Sequence, residues 1–417
     1  MTEFFNVLPP DEARTLLTDH IRSLTNKETI AVTESLGRVT ARAVNALHDL
    51  PSFQRSTMDG YAVKAKDTFG ASQSLPAFLT VVGEVGMGTR AKVSIGDAQA
   101  VIVHTGGMIP DSADAVVQIE HTQRIDPGVG SAENFEIEVL SAVAPGQNVI
   151  QIGEDIRKGD EILSPNSLIR PQDIGGMLAL GITEVLVISQ PVVGLLSTGD
   201  EVVQPDTMPL PGQIRDINSY TIGALATEAG GVVKKFGIVP DDFRLLLARA
   251  KSALDECHMV VITAGSSVSA RDMTVEVIQR LGDPGVLLHG VATRPGKPTI
   301  VGAVDGKPVL GLPGNPVSAV VQFTMFGVPA IYRLFGMTGT PPRKVTFAIL
   351  TQNLASESGR EDYVPAKLTE DSGGLRATPI FGKSNLIFTL VKADGLIKIP
   401  LNDGGVLAGD LVEVILF

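Results

Sequence analysis

At 417 residues the chain is too long for one compact core, so two to four domains are expected. Its 44% hydrophobic and 19% charged residues are an ordinary globular balance with no sign of long disorder. A formal net charge of −12 argues against non-specific nucleic-acid binding and against a basic membrane-surface protein, so any anionic ligand must be held by local cations against that field.

Pro10 and Asp11 open a helical pattern in "PPDEARTLLTDHIRSL", with Ala13, Leu16, Leu17, Ile21 and Leu24 at helical spacing. The start "MTEFFNVLPPDEA" lacks the basic start and apolar middle of a signal peptide, and no apolar run is long enough to span a bilayer. A cytoplasmic protein is expected. From Tyr61 to about Val143 the texture changes to short strands with frequent Gly and Pro, a β-rich insert. Helix returns in "RPQDIGGMLALGI". Strands then alternate with helices: strand 192–197, helix near 219–228, strand 232–239, helix 242–254, strand 259–263, helix 274–281. Strands near 286–291, 299–301 and 309–312 and a helix from Val317 follow. This spacing predicts a mostly parallel sheet covered on both faces. After "TGTPPRKV" only short strands are expected, as a small β-barrel or sandwich. The one cysteine, Cys257, excludes an internal disulfide and any multi-cysteine metal centre, and it lies where helix meets strand, as a core residue does.

In a doubly wound sheet ligands bind where the βα loops gather, at the carboxyl ends of the strands. Three such ends carry acids beside small or rigid residues: "STGDE" at Ser197–Glu201, "PDD" at Pro240–Asp242, and "TAGSSVSARDMT" with Asp272. "TRPGKPT" (Thr293–Thr299) and "GLPGNPVSA" (Gly311–Ala319, with Pro313 and Pro316) follow. Carboxylates and cations on one rim suit a phosphate-bearing ligand with Mg²⁺.

Each stretch has a plainer reading. "TRPGKPT" is not a P-loop, because five residues separate Gly290 from Gly296 where four are required, and Pro298 stands where that loop has its hydroxyl. Arg294 and Lys297 could then be two solvated charges on a rigid turn. Asp242 is a natural N-cap for "FRLLLARAKSAL", and Asp241 stays open between ligand and cap. Asp272 could cap a helix starting near Met273. Pro316 fits the start of a helix, leaving first-turn amides and Ser318 for an oxyanion. Asp59–Gly60 reads as a turn and "GEDI" (Gly153–Ile156) as a solvated acid. No GxGxxG follows a strand, and the six His show no HExxH spacing.

Taken in order, "STMDGYAV", "HTGGMIPDSADAVV", "GEDI", "LLSTGDEVV", "IRDINS", "IVPDD", "TAGSSVSARDMT", "RPGKPT", "GLPGNPVSA" and "GREDYV" resemble the molybdopterin molybdenumtransferase (MoeA-like) family, which is related to the gephyrin E domain. The resemblance runs nearly end to end. It implies a multidomain α/β plus β fold: a split N-terminal linker and dimerisation domain (1–50 and 145–187), a β-rich lid domain (51–144), a MogA-like α/β domain (188–337) with a mostly parallel sheet, and a C-terminal β-barrel domain (338–417). It also implies a homodimer, with MogA-type proteins and molybdoenzymes as protein partners. The implied reaction inserts molybdate into adenylylated molybdopterin, with Mg²⁺, and releases AMP.

Residue by residue, the family's catalytic positions fall on Asp59, Thr105, Asp155, Glu201, Asp241 and Asp272, with Asp241 and Asp272 expected to bind Mg²⁺. Ser267, Arg294, Lys297, Pro313, Pro316, Ser318, Arg360 and Ser384 are the expected substrate and molybdate positions. Three departures stand out. Ala264 and Ser269 occupy glycine positions of the family's loop, and a left-handed Ser269 would cost on the order of 1 kcal/mol or more. Arg294 stands where many members have Lys, and Gln54–Arg55 replace Asp–Asn. Two other readings are a non-catalytic molybdopterin-binding carrier or scaffold and a MogA-type adenylyltransferase. The five acids favour the enzyme over the first, and the additional lid and barrel segments count against the second.

Overall fold

A computed structural model describes residues 7–125, 135–264, 268–339, 341 and 343–417, with 268–270 described by backbone alone. The centre is a six-stranded sheet. Its order is Val232–Val239, Val192–Thr198, Met259–Ala264, Lys307–Pro313, Ile300–Val304, Pro284–His289. The first four strands are mutually parallel, and the last two join antiparallel. The sheet is therefore mixed, because the chain after Leu281 returns as a meander without further crossover helices.

Successive residues on each strand face opposite sides. Val193, Leu195, Val261 and Leu310 belong to one core, with Ile222, Phe323 and Phe326 from covering helices. Leu196, Val260, Ile262 and Val309 belong to another, with Leu246, Ala250, Val277 and Ile278. Burial on both faces is why Met259–Ala264 reads as a continuous apolar run. The N-terminal helix Pro10–Asp19 adds Ala13 and Leu17 to the first of these cores.

The last covering helix runs from Pro316 to Leu334. By length and composition it could cross a membrane, which corrects the expectation that no apolar run is that long, but 78% of it is buried inside the fold. It is a core helix. Residues Phe323–Gly327 widen into a π-turn that includes Met325, whose carbonyl an α-helix would pair with the N–H that Pro329 lacks.

The β-rich insert forms its own six-stranded sheet with a core on each face, one around Tyr61, Leu79 and Ile137 and one around Val101, Val103 and Ile109. A smaller linker pairs Lys27–Ala31 with Glu184–Ile188, which explains why its halves are separated in sequence by the insert. The C-terminal strands Glu361–Asp371, Gly374–Pro379, Val345–Leu350, Leu411–Leu416 and Gly395–Ile399 close into a barrel. Thr293–Arg294 from the α/β domain lies parallel on Glu361–Asp362 and ties the two units together.

Candidate functional site

The carboxyl ends of the parallel strands form one rim, and the polar residues there are bonded to one another. Thr198 Oγ1 donates to Asp241 Oδ1 at 2.9 Å, and the Asp241 amide donates to Asp200 Oδ1 at 3.2 Å. Asp242 is the helix cap, accepting from the Leu245 amide at 2.9 Å. That leaves the exposed Asp241 outside the capping role. Glu201 folds back over Gly199, whose φ is +142° and where a Cβ would stand 2.7 Å from Glu201 Oε2.

Asp272 does not cap a helix. The helix begins at Val268, so Asp272 lies inside it, exposed in its second turn. The polar run before Met273 carries no apolar periodicity, which is why the spacing suggested a later start. Ser269 is in the same right-handed helical backbone, so the left-handed cost does not arise. Ala264 is the buried last residue of its strand. Ser267 lies outside the described residues.

Beside this rim a cleft of about 1090 Å³ opens between the α/β domain and the barrel. Arg294, Lys297, Pro313, Ser318, Arg360 and Ser384 all line it. Pro316 sits just behind, buried at the first position of the helix. The antiparallel pairing explains why the two loops meet: Ile300 stands opposite Gly311, so the chain before Ile300 and the chain after Gly311 emerge at the same end. Ser384 is drawn in from the barrel. Its carbonyl accepts from the Val317 amide at 3.0 Å and its hydroxyl from Asn315 Nδ2 at 3.0 Å.

The cations are held by a buried acid. Asp362, whose side chain is 3% exposed, accepts from Arg360 Nε at 2.9 Å and faces Arg294 Nη1 at 3.6 Å. The Arg294 side chain remains 63% exposed, so its guanidinium is anchored at one edge and open to the cleft at the other. Of the charged residues that line the cleft, Arg294, Lys297, Arg360 and Lys383 are cations against the acid Asp362, while the exposed Glu357 pairs Arg360 Nη1 at 2.9 Å.

The lid residues form a separate group. Thr105 donates to Asp59 Oδ1 through its amide at 2.8 Å and its hydroxyl at 3.2 Å. Those two bonds, the backbone one first, hold the Asp59 carboxyl below its ordinary range, and His104 at 4.0 Å adds to the effect. Asp155 is exposed where the lid meets the linker, its amide bonded to the Leu50 carbonyl at 3.0 Å. The hydrogen bonds of Asp59 and Thr105 stay within the lid. Arg55 is stacked at 5.0 Å over Phe53.

Sequence reasoning assigned no role to three buried residues here. Asp216 accepts from Ser197 at 2.9 Å and from Ser219 at 2.7 Å. Asn218 donates to the Gly314 carbonyl at 2.8 Å, tying the acidic rim to the cleft loop. Asp362 is the third. The stretches "IRDINS" and "GREDYV" held the signal, but only contacts separate these side chains from ordinary turn residues.

Among the described residues no three His, Cys, Asp or Glu side chains cluster as metal ligands. Mg²⁺ needs one or two carboxylates and keeps several waters, so the oxygen donors of Asp241 and Asp272 are compatible with it.

Three family models cover most of the chain: the MoeA N-terminal region (domain I and II) over residues 8–181, a probable molybdopterin binding domain over 194–333, and the MoeA C-terminal region (domain IV) over 348–417. A Bacillus subtilis protein named molybdopterin molybdenumtransferase is 32% identical, over 100% of this chain and 95% of its own. A Staphylococcus aureus protein of the same name is 31% identical over 93% and 90%. The crystal structure of a molybdopterin biosynthesis MoeA protein from Pyrococcus horikoshii superposes with a TM-score of 0.84, at 32% identity, covering 99% of this chain and 100% of that one.

Proposed function

The chain belongs to the MoeA family, as an enzyme of the molybdopterin molybdenumtransferase type in molybdenum cofactor biosynthesis, and from that premise we propose that it inserts molybdate into adenylylated molybdopterin with release of AMP. The observation that carries the finer reading is the cationic cleft between the α/β domain and the barrel, adjoining an acidic rim. Molybdate is a tetrahedral dianion. Arg294, Lys297 and Arg360 supply its counter-charge, and the Ser318 and Ser384 hydroxyls supply neutral donors. The acidic rim beside it serves the phosphate end of the nucleotide-linked substrate. There Asp241 and Asp272 would hold Mg²⁺, which when bound offsets charge on the leaving phosphate. Asp241 keeps one oxygen for that task, because only its Oδ1 is engaged by Thr198. In this reading Glu201 on the rim and Asp59, Thr105 and Asp155 on the insert and linker are the remaining catalytic positions.

In this reading the enzyme works as a cytoplasmic homodimer, takes its substrate from a MogA-type protein and delivers its product to molybdoenzymes. The test is turnover by the purified protein with adenylylated molybdopterin, Mg²⁺ and molybdate or tungstate. Oxyanion-dependent AMP release together with active cofactor is expected. Tight substrate binding without AMP release would overturn the proposed reaction.

A further inference from the structure

We propose that Gln322 is a positioning residue that sets the oxyanion wall of the cleft, an inference that rests on the molybdate seat proposed above. Gln322 is fully buried, between Val321 and Phe323 at the junction of the helix and its π-turn. Its surroundings are otherwise apolar core, yet its amide reaches the loop that carries the cations. Nε2 donates to the Pro295 carbonyl at 2.9 Å and to Thr293 Oγ1 at 3.0 Å, clasping Arg294 on both sides in sequence. The loop descends onto this amide: Gly296 has φ +109°, and a Cβ there would lie 2.3 Å from Gln322 Nε2. Thr299 Oγ1 braces the same turn by donating to the Gly296 carbonyl at 2.7 Å. The Thr293 hydroxyl on one side of Arg294 and the Pro295 carbonyl on the other are therefore held from beneath, while its guanidinium faces Asp362.

Core stability alone does not account for this amide. Gln322 Oε1 is buried with no hydrogen-bond partner, an arrangement that destabilises the core. A leucine of similar size would fill the space without that cost. The amide is explained by the two bonds Nε2 makes, and those bonds hold the residues flanking Arg294 where it lines the cleft. A seat for a small rigid anion is sensitive to displacements well under an ångström.

The test uses the full-length enzyme with Gln322→Leu, Gln322→Glu and Arg294→Ala, measuring turnover at varied molybdate and, separately, at varied adenylylated molybdopterin. Gln322→Leu is expected to raise the molybdate concentration for half-maximal rate about tenfold. Its kcat and its half-saturation by adenylylated molybdopterin should stay close to wild type. Gln322→Glu is expected to do more harm, because a carboxylate cannot donate to the Pro295 carbonyl and places negative charge beneath the cations. If Gln322→Leu does not fold, Gln322→Met drops both donors at nearly constant length. Wild-type molybdate dependence in the leucine or methionine variant, with Arg294→Ala shifted, would overturn the role of Gln322 alone. Unchanged molybdate dependence in Arg294→Ala would overturn the seat itself.

Discussion

Arg294 and Asp362, from different domains, stand directly opposite one another in a parallel strand pairing, with the guanidinium 3.6 Å from the carboxylate. The register of a two-residue strand thus decides where a cation of the cleft sits. Asp362 also holds Arg360, so replacing it removes the buried partner of two guanidiniums and leaves Arg360 only the exposed Glu357. The charges left behind are the largely exposed Arg294 and the still-paired Arg360, so the loss is nearer about 1 kcal/mol than that of a fully buried pair. Asp362→Asn is expected to lower the thermal midpoint and to weaken molybdate dependence together. Thermal unfolding and turnover on the same preparation check this, and a variant as stable as wild type would contradict it.

Asp241 and Asp242 are neighbours with separable tasks. Asp242→Ala removes the N-cap of the helix Phe243–Glu256 and should cost about 1 kcal/mol of stability, with turnover little changed below the melting range. Asp241→Asn should do the reverse, leaving stability near wild type and reducing turnover by two orders of magnitude or about that. Equal effects in both assays for both variants would refute the division.

Asp272 lies exposed inside a helix and makes no demand on the core. Asp272→Asn should therefore fold normally. It is expected to lose most of its Mg²⁺-dependent turnover and to need more Mg²⁺ for what remains, as a magnesium titration of the rate will show. Unaltered magnesium dependence would remove this residue from the metal site.

The Asp59 carboxyl is held below its ordinary range by the Thr105 amide first and the Thr105 hydroxyl second. Its folded value is lower than its unfolded one. Whatever stability the pair adds is complete above the ordinary carboxylate range and is lost as pH falls through the depressed folded value. Asp59 is thus a full carboxylate across the neutral range, and any titration of activity near neutral pH must come from another group. Thr105→Val keeps the amide and loses the hydroxyl, so the Asp59 titration should move partway back up. Carboxyl NMR of both proteins reads the shift directly.

The fold was legible wherever burial is periodic. The alternation of Val192–Thr198, Val232–Val239 and Met259–Ala264 with their helices followed from continuous apolar strands and amphipathic intervals. The start of the Val268–Leu281 helix was not legible, since "SARD" has no apolar rhythm, and the antiparallel edge was hidden because strand direction leaves no mark in composition. At the site, charge and hydroxyl content drew attention to Arg294, Lys297 and Ser318, and the family resemblance added Arg360 and Ser384; all five line one cleft. Gln322 and Asp362 escaped notice for the opposite reason. Each is a buried polar residue whose work is done on a neighbour, and a sequence shows the residue without the neighbour.

Thr293 and Arg294 belong to two folding units at once. Their backbone extends the barrel sheet, while the residues on either side are part of the α/β domain. Heating should therefore melt barrel and α/β domain in a single cooperative transition, whereas the insert, with a core of its own on each sheet face, can unfold as a separate unit. Excised from the barrel, the α/β domain would keep Arg294, Lys297 and Ser318 but lose Arg360 and Ser384, so the proposed anion seat would be left open on one side.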